Sequence, residues 1–292
     1  MKGDTRQHVL LVANRGSGEI LYCEPLRDWF EQLLIDHTLF EAGAAGLGEM
    51  GVRPKVEAVE DAAGMVVGWG VTLSTDDHRV VFRYVPENQK GGGAFSCQRL
   101  PNGYTLVGEN ASGRLVEVDP AGRVVFSLMT RFESKNDHHH MRMARKLANG
   151  NYLVCHSGDN VVREYRPDGT TAWEQRTPSL AFAAVRLPNG NTLVSAIDRL
   201  IEYASDGQEV WSFAKDDVPG VTIQNMTGFH VLPNSNLVVG CYAAYTKEGQ
   251  GTGMFEITRA KQLVWRYASP GLRDKNMMGV QKLVAADETP LR

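Results

Sequence analysis

The sequence predicts an all-β fold: a six-bladed β-propeller of four-stranded antiparallel blades, closed by pairing of its N- and C-terminal strands. Three observations carry this expectation. The first is a repeated phrase. Arg99-Leu-Pro-Asn-Gly-Tyr-Thr-Leu-Val107 returns as Lys146-Leu-Ala-Asn-Gly-Asn-Tyr-Leu-Val154, as Arg186-Leu-Pro-Asn-Gly-Asn-Thr-Leu-Val194 and, more weakly, as Val231-Leu-Pro-Asn-Ser-Asn-Leu-Val-Val239. The second is a turn followed by an aromatic, in Ala121-Gly-Arg-Val-Val-Phe126, Asp168-Gly-Thr-Thr-Ala-Trp173, Asp206-Gly-Gln-Glu-Val-Trp211 and Ala260-Lys-Gln-Leu-Val-Trp265. The third is the spacing of about 40–50 residues between copies, the period of a four-stranded blade.

Each element has its own reason. The first phrase is two β-type runs, strands A and B, joined by an Asn-Gly hairpin. Asn and Gly accept the positive φ angles such a turn demands. Short β-rich runs follow as strand C: Arg114-Leu-Val-Glu-Val118, Val161-Val-Arg-Glu-Tyr165 and Leu200-Ile-Glu-Tyr203. The turn-plus-aromatic phrase opens strand D, and its aromatic fills the wedge between neighbouring blades. Stacked helix pairs would need a 3.6-residue apolar period, and these runs are too short and too β-branched for it.

The blade count comes from the strand-D aromatics. Phe126, Trp173, Trp211 and Trp265 mark four units. Upstream, Arg79-Val-Val-Phe-Arg-Tyr-Val85 reads as a further strand D after Lys55-Val-Glu-Ala-Val59 and Met65-Val-Val-Gly-Trp69. At the N-terminus, His8-Val-Leu-Leu-Val-Ala13, Glu19-Ile-Leu-Tyr-Cys23 and Trp29 read as B, C and D without an A, which Met278-Gly-Val-Gln-Lys-Leu283 supplies. Such pairing leaves no open sheet edge. Residues 1–292 read as one domain, with an inserted loop or short helical segment at about 31–54.

Composition narrows the function classes. With 42% hydrophobic residues in 292, the chain can bury a sizeable core. A net charge of −3 without a Lys/Arg cluster gives no electrostatic case for nucleic acid. No apolar run approaches the roughly 18 residues a spanning helix needs, so no membrane partner is expected. The first residues hold no apolar h-region, so export is not expected, and Cys23, Cys97, Cys155 and Cys241 have no metal-type spacing. Free thiols in a cytoplasmic protein are the expectation. The apolar stretch within 31–50 is a candidate lid or oligomer contact.

Topology directs attention to one face. The A–B and C–D turns share one end of the blades and are short and regular. The B–C and D–A connections share the other and are irregular: residues 31–54, 86–94, 127–141, 213–226, 243–252 and 266–277. Irregular loops on a regular scaffold are where binding and chemistry are usually placed. One of them reads Glu133-Ser-Lys-Asn-Asp-His138-His139-His140-Met-Arg142. His156 ends strand B of the same unit, so four of the eight histidines are expected at one blade edge. Glu109, one unit earlier, is expected to face them.

Two chemistries suit this set. Imidazoles with a carboxylate hold a divalent transition metal, with His138, His140 and His156 as candidate ligands, because alternate residues of a strand share a face. Without metal, His138, His139, His140, His156 and Glu109 are candidate acid, base or nucleophile groups. Arg142, Arg15, Asn14, Asn110, Asn225, Thr227 and Tyr242 are the candidate substrate-binding residues near strand ends. The competing reading is a solvated, His-rich loop with no ligand. Cys155 beside His156 is a weaker nucleophile candidate, since strand neighbours point to opposite faces.

The combined pattern Leu-Pro-Asn-Gly-Asn-x-Leu-Val, then Glu-Tyr, then Asp-Gly-x-x-x-Trp resembles the propeller repeats of the quinoprotein-like superfamily. It is most similar to those of the bacterial arylsulfotransferase-like proteins, over about residues 94–283. That resemblance implies a channel histidine carrying a sulfuryl group with help from further His, Arg and Asn. The matching positions here are His138, His139, His140 and Arg142, and in another repeat His230. Quinoprotein dehydrogenases combine eight blades, a vicinal cysteine pair and calcium ligands, which this chain lacks, so pyrroloquinoline quinone is not expected. Three hypotheses follow: an enzyme of lyase, isomerase or hydrolase type acting on a small polar or anionic molecule, a non-catalytic binding or assembly module, and sulfuryl transfer.

Overall fold

A computed structural model describes residues 8–13, 20–26, 53–60, 66–74, 80–86, 93–242, 245–246, 249–250 and 252–267. The described residues fall into two compact units. The first lies within Gln7–Arg27 and Glu41–Arg176, the second within Thr177–Arg292. No described helix is long and apolar enough to cross a membrane.

The first unit holds β1 (His8–Ala13), β2 (Ile20–Leu26), β3 (Arg53–Glu60), β4 (Val66–Ser74) and β5 (Val80–Tyr84). Then come β6 (Ala94–Arg99), β7 (Thr105–Glu109), β8 (Arg114–Val118) and β9 (Val124–Met129), which form one antiparallel blade. The next blade is β10 (Met143–Lys146), β11 (Tyr152–His156), β12 (Val161–Tyr165) and β13 (Thr171–Arg176). The second unit holds β14 (Ala181–Arg186), β15 (Thr192–Ala196), β16 (Arg199–Tyr203) and β17 (Glu209–Ala214). It continues with β18 (Asn225–Val231), β19 (Leu237–Tyr242), β20 (Tyr245–Thr246), β21 (Gly249–Gln250), β22 (Met254–Ile257) and β23 (Leu263–Tyr267). β18, β19, β22 and β23 form its second blade, with the small β20–β21 hairpin inserted between β19 and β22. The chain is thus an all-β propeller protein of four-stranded antiparallel blades.

Four complete blades stand among the described residues, not the six that the repeat count predicts. The difference lies upstream of residue 94. β5 pairs with β2, giving a three-stranded sheet in the order β1-β2-β5, while β3 and β4 make a separate hairpin inserted between β2 and β5. The run read as a strand D is therefore a strand C. Its cadence, Val80-Val-Phe-Arg-Tyr84, matches that of Val161-Val-Arg-Glu-Tyr165. β1 lies against β6 as β6 lies against β10, so β1 takes the innermost place and not that of strand B. Alternation tells which face a strand buries; it does not tell which strand it pairs with. The strand expected at 278–283, Trp29 and the segment 31–54 lie outside the described residues, as do Asn14 and Arg15.

Within the complete blades, the local rules operate as expected. Gly103, Gly150 and Gly190 take φ of 83–87°, and in the weaker copy Ser235 takes the same left-handed conformation at 67°. The turn Asn side chains accept from the N–H two residues on, as Asn149 does from Asn151 at 3.0 Å. The following Asn then crosses to strand C. Asn151 donates to Glu164 and Asn191 to Glu202, each at 2.6 Å, and Asn236 to Glu256 at 2.7 Å. Tyr104 replaces that Asn in the β6–β9 blade. Glu117 there accepts instead from Lys146 and Tyr152 of the next blade, both at 2.5 Å.

Strands B and C are covered on both sides, and β11, β12 and β15 are buried at every position. Outer strands are largely open to solvent; in β13, Thr171, Glu174 and Arg176 are exposed and the rest half-buried. Their aromatics bridge neighbouring blades where expected. Phe126 stacks on Tyr152 at 5.1 Å, and the Trp211 indole donates to the Arg259 carbonyl under that residue's guanidinium. Trp265 instead donates to Glu256 of its own blade.

Candidate functional site

The connection from β9 to β10, residues 130–142, carries the histidines. It is held from beneath by a buried polar network. The Asp159 carboxylate accepts from the backbone N–H of Glu133 (2.9 Å) and Ser134 (2.7 Å). Those bonds hold Asp159 below the ordinary carboxylate range, although burial opposes them. Arg163, itself fully buried, donates to Glu174 (2.6 Å), to the Arg131 carbonyl (2.8 Å) and to Asp159. Asn136 caps a single 3-10 turn at Asp137–His139 by accepting from the His138 N–H at 3.1 Å.

The 3-10 turn decides which histidines meet. In a strand, His138 and His140 would share a side and His139 would turn away. With about three residues per turn that alternation does not apply. His138 and His139 lie with ring centroids 5.3 Å apart, and His140 turns inward. The His140 ring stacks on Phe132 at 3.8 Å, with Nδ1 2.8 Å from the Ala111 carbonyl and Nε2 2.9 Å from that of Ser134. Both ring nitrogens thus face backbone oxygens, and neither offers a lone pair to a metal.

His156 is equally committed. It is fully buried, with Nδ1 2.7 Å from the His140 carbonyl and Nε2 2.9 Å from the Tyr165 hydroxyl. Burial pushes its pKa down to about 4, against the opposing bond to the His140 carbonyl. The four histidines therefore do not converge. Among the described residues no three His, Cys, Asp or Glu side chains are grouped to hold a metal ion. Glu109 departs from expectation too. Buried under the rim, it accepts from Tyr84 Oη at 2.6 Å and from Ser112 Oγ at 3.1 Å.

What does come together is smaller. Arg142, just before β10, sets its guanidinium 4.9 Å above the Phe95 ring. The same ring meets His138 edge-on at 5.2 Å. His139 is half-buried beside them, and its pKa is lowered by burial first and then by Arg142 and His138. Phe95, His138, His139 and Arg142 therefore form one half-buried cluster at the entry of the two inner strands. Phe95 escapes sequence reading: it occupies the bulge between Ala94 and Ser96, where strand alternation gives no guide. The available signal is positional, since Phe95 and Arg142 each stand five residues before the Leu of their repeat phrase.

Asn110, expected to bind substrate, is fully buried and bonded to backbone on both sides of the histidines. In the second unit, Asn225 opens β18 opposite Tyr242, which is 36% exposed. Thr227 is buried and donates to the Gly240 carbonyl at 3.1 Å. Burial raises the thiols, Cys97 to about 11 and Cys241 to about 12, and Cys155 in the same direction. Cys155 is therefore not poised as a nucleophile.

No family model matches the chain, and no curated protein does. Among solved structures it is similar to a Bacteroides caccae protein of unknown function, at 20% identity over 98% of this chain and all of that one, with a TM-score of 0.62. It also matches virginiamycin B lyase from Staphylococcus aureus at 11% identity, over 91% of this chain and 89% of that one, with a TM-score of 0.48. A putative gluconolactonase matches at 15% identity, over 68% and 70%, with a TM-score of 0.47. The first likeness shows the fold alone, and the other two are too distant to carry an argument about activity. Neither of the two named enzymes is a quinoprotein or an arylsulfotransferase.

Proposed function

We propose that the cluster of Phe95, His138, His139 and Arg142 binds a small anionic molecule and that His139 moves a proton on it. One observation carries this reading: a half-buried imidazole lies beside a guanidinium and a second imidazole, on a loop anchored by buried hydrogen bonds. Arg142 supplies the anion contact. His139, held toward its neutral form, is a base at neutral pH and becomes an acid after taking the proton. Elimination, isomerisation and hydrolysis all use such a pair, and the reaction belongs to one of these classes. Free thiols at Cys97, Cys155 and Cys241 suit a cytoplasmic protein.

The test is a titration of the full chain with phosphate, sulfate and small carboxylates, read on the His138 and His139 C–H signals by NMR. At least one anion should saturate. Its affinity should rise as the pH falls, because an anion raises the His139 pKa and binding takes up a proton. Arg142→Gln should weaken it about tenfold or more. Binding of no anion, or binding indifferent to Arg142→Gln, sinks the reading. A binding module without chemistry is the second reading. It would show saturable binding, with no turnover of any compound that binds.

A further inference from the structure

We propose that Asn110 is the positioning residue of this site: its side-chain amide holds both ends of the histidine turn, and its backbone N–H ties that turn to the segment carrying Phe95. This rests on the reading of the Phe95–His138–His139–Arg142 cluster just given. Asn110 follows β7, at the start of the B–C connection, and has no exposed surface. Its Nδ2 donates to the Asp137 carbonyl at 2.7 Å, immediately before His138. Its Oδ1 accepts from the Met141 N–H at 2.9 Å, immediately before Arg142. Its own backbone N–H donates to the Gly93 carbonyl at 2.9 Å, two residues before Phe95.

No other side-chain type of this size does the same work. An amide presents a donor and an acceptor at once, and the two peptide groups it meets demand one of each. Aspartate is nearly isosteric but has no N–H, so it sets a carboxylate oxygen against the Asp137 carbonyl. The next blade adds a second brace at the equivalent repeat position. Ser157, also fully buried, donates to the His139 carbonyl at 3.3 Å. The histidine turn is thus gripped from two neighbouring B–C connections: Asn110 holds both of its ends and Ser157 its middle.

The experiment compares the full chain with Asn110→Asp and Asn110→Ser. It reads melting temperature, the NMR titration midpoint of His139 and the affinity for inorganic phosphate or whichever anion the unmodified chain binds. In a folded variant, the His139 midpoint is expected to move back toward that of an ordinary histidine, since the loosened turn exposes His139 to water and no longer holds Arg142 and His138 beside it. Anion affinity is expected to fall about tenfold or more. Asn110→Ser, which leaves room and no misplaced charge, covers the case in which Asn110→Asp does not fold. A folded variant with unchanged His139 midpoint and unchanged affinity overturns the proposal. A midpoint that moves while the unmodified chain binds no anion upholds the positioning role and overturns the anion reading. Tight binding with an unmoved midpoint does the reverse.

Discussion

At the scale of single residues, the site depends on spaces as much as on side chains. Gly158 has no Cβ, and one placed there would lie 2.4 Å from Ser134 Oγ and 3.0 Å from His139 Cβ. Gly158→Ala must push the histidine turn off its support. We expect a loss of about 1–3 kcal/mol of stability in urea unfolding and a changed His139 signal. An alanine variant that unfolds at the same urea concentration, with its His139 signal unmoved, would refute this contact. His140 shows the opposite lesson. Its place in a triple histidine suggests a ligand, yet its ring is a structural pin between two carbonyls and Phe132. A sequence shows that three imidazoles are adjacent. Which of them faces outward depends on a backbone turn set by Asn136, Asn110 and Asp159, residues on three different elements.

At the scale of elements, the repeat makes strands and hairpins legible because their causes are local. Asn-Gly turns need positive φ, and inner strands need β-branched bulk; both appear in the residues themselves. The lock between the hairpin Asn and the strand-C Glu is legible too, once the pairing of Asn151 with Glu164, Asn191 with Glu202 and Asn236 with Glu256 is recognised. Glu164→Ala leaves the amides of Asn149 and Asn151 without their acceptor. It should cost about 2 kcal/mol in thermal or urea unfolding, the usual range for bonds to a charged group. A change below about 0.5 kcal/mol would show that water replaces the carboxylate. The N-terminal sheet is less legible. β2 and β5 pair across an inserted hairpin, and no local residue choice announces a partner some 60 positions away.

At the scale of the whole molecule, acid stability follows from His156. Its folded pKa of about 4 lies below the ordinary value of 6.5, so the unfolded chain binds more protons between those limits. Its contribution is fully present above about pH 6.5 and is lost as the pH falls toward 4, by about 3 kcal/mol in all. Urea midpoints measured from pH 7 to pH 4 should fall more steeply for the unmodified chain than for His156→Asn, which cannot titrate. Parallel curves would show that another group governs acid unfolding.

The sequence by itself determined the blade as the building unit, its period, its turns and the end of the blades where irregular connections gather. All of these follow from the backbone preferences of short segments, repeated until the pattern is unmistakable. Only the tertiary structure decided that His138 and His139 meet Phe95 and Arg142 while His140, His156 and Glu109 are withdrawn into hydrogen bonds. It also decided that β5 joins β2 and that Asn110 braces the turn. These outcomes depend on which distant backbone groups are left needing a partner, and each buried donor or acceptor takes the side chain that geometry brings within about 3 Å.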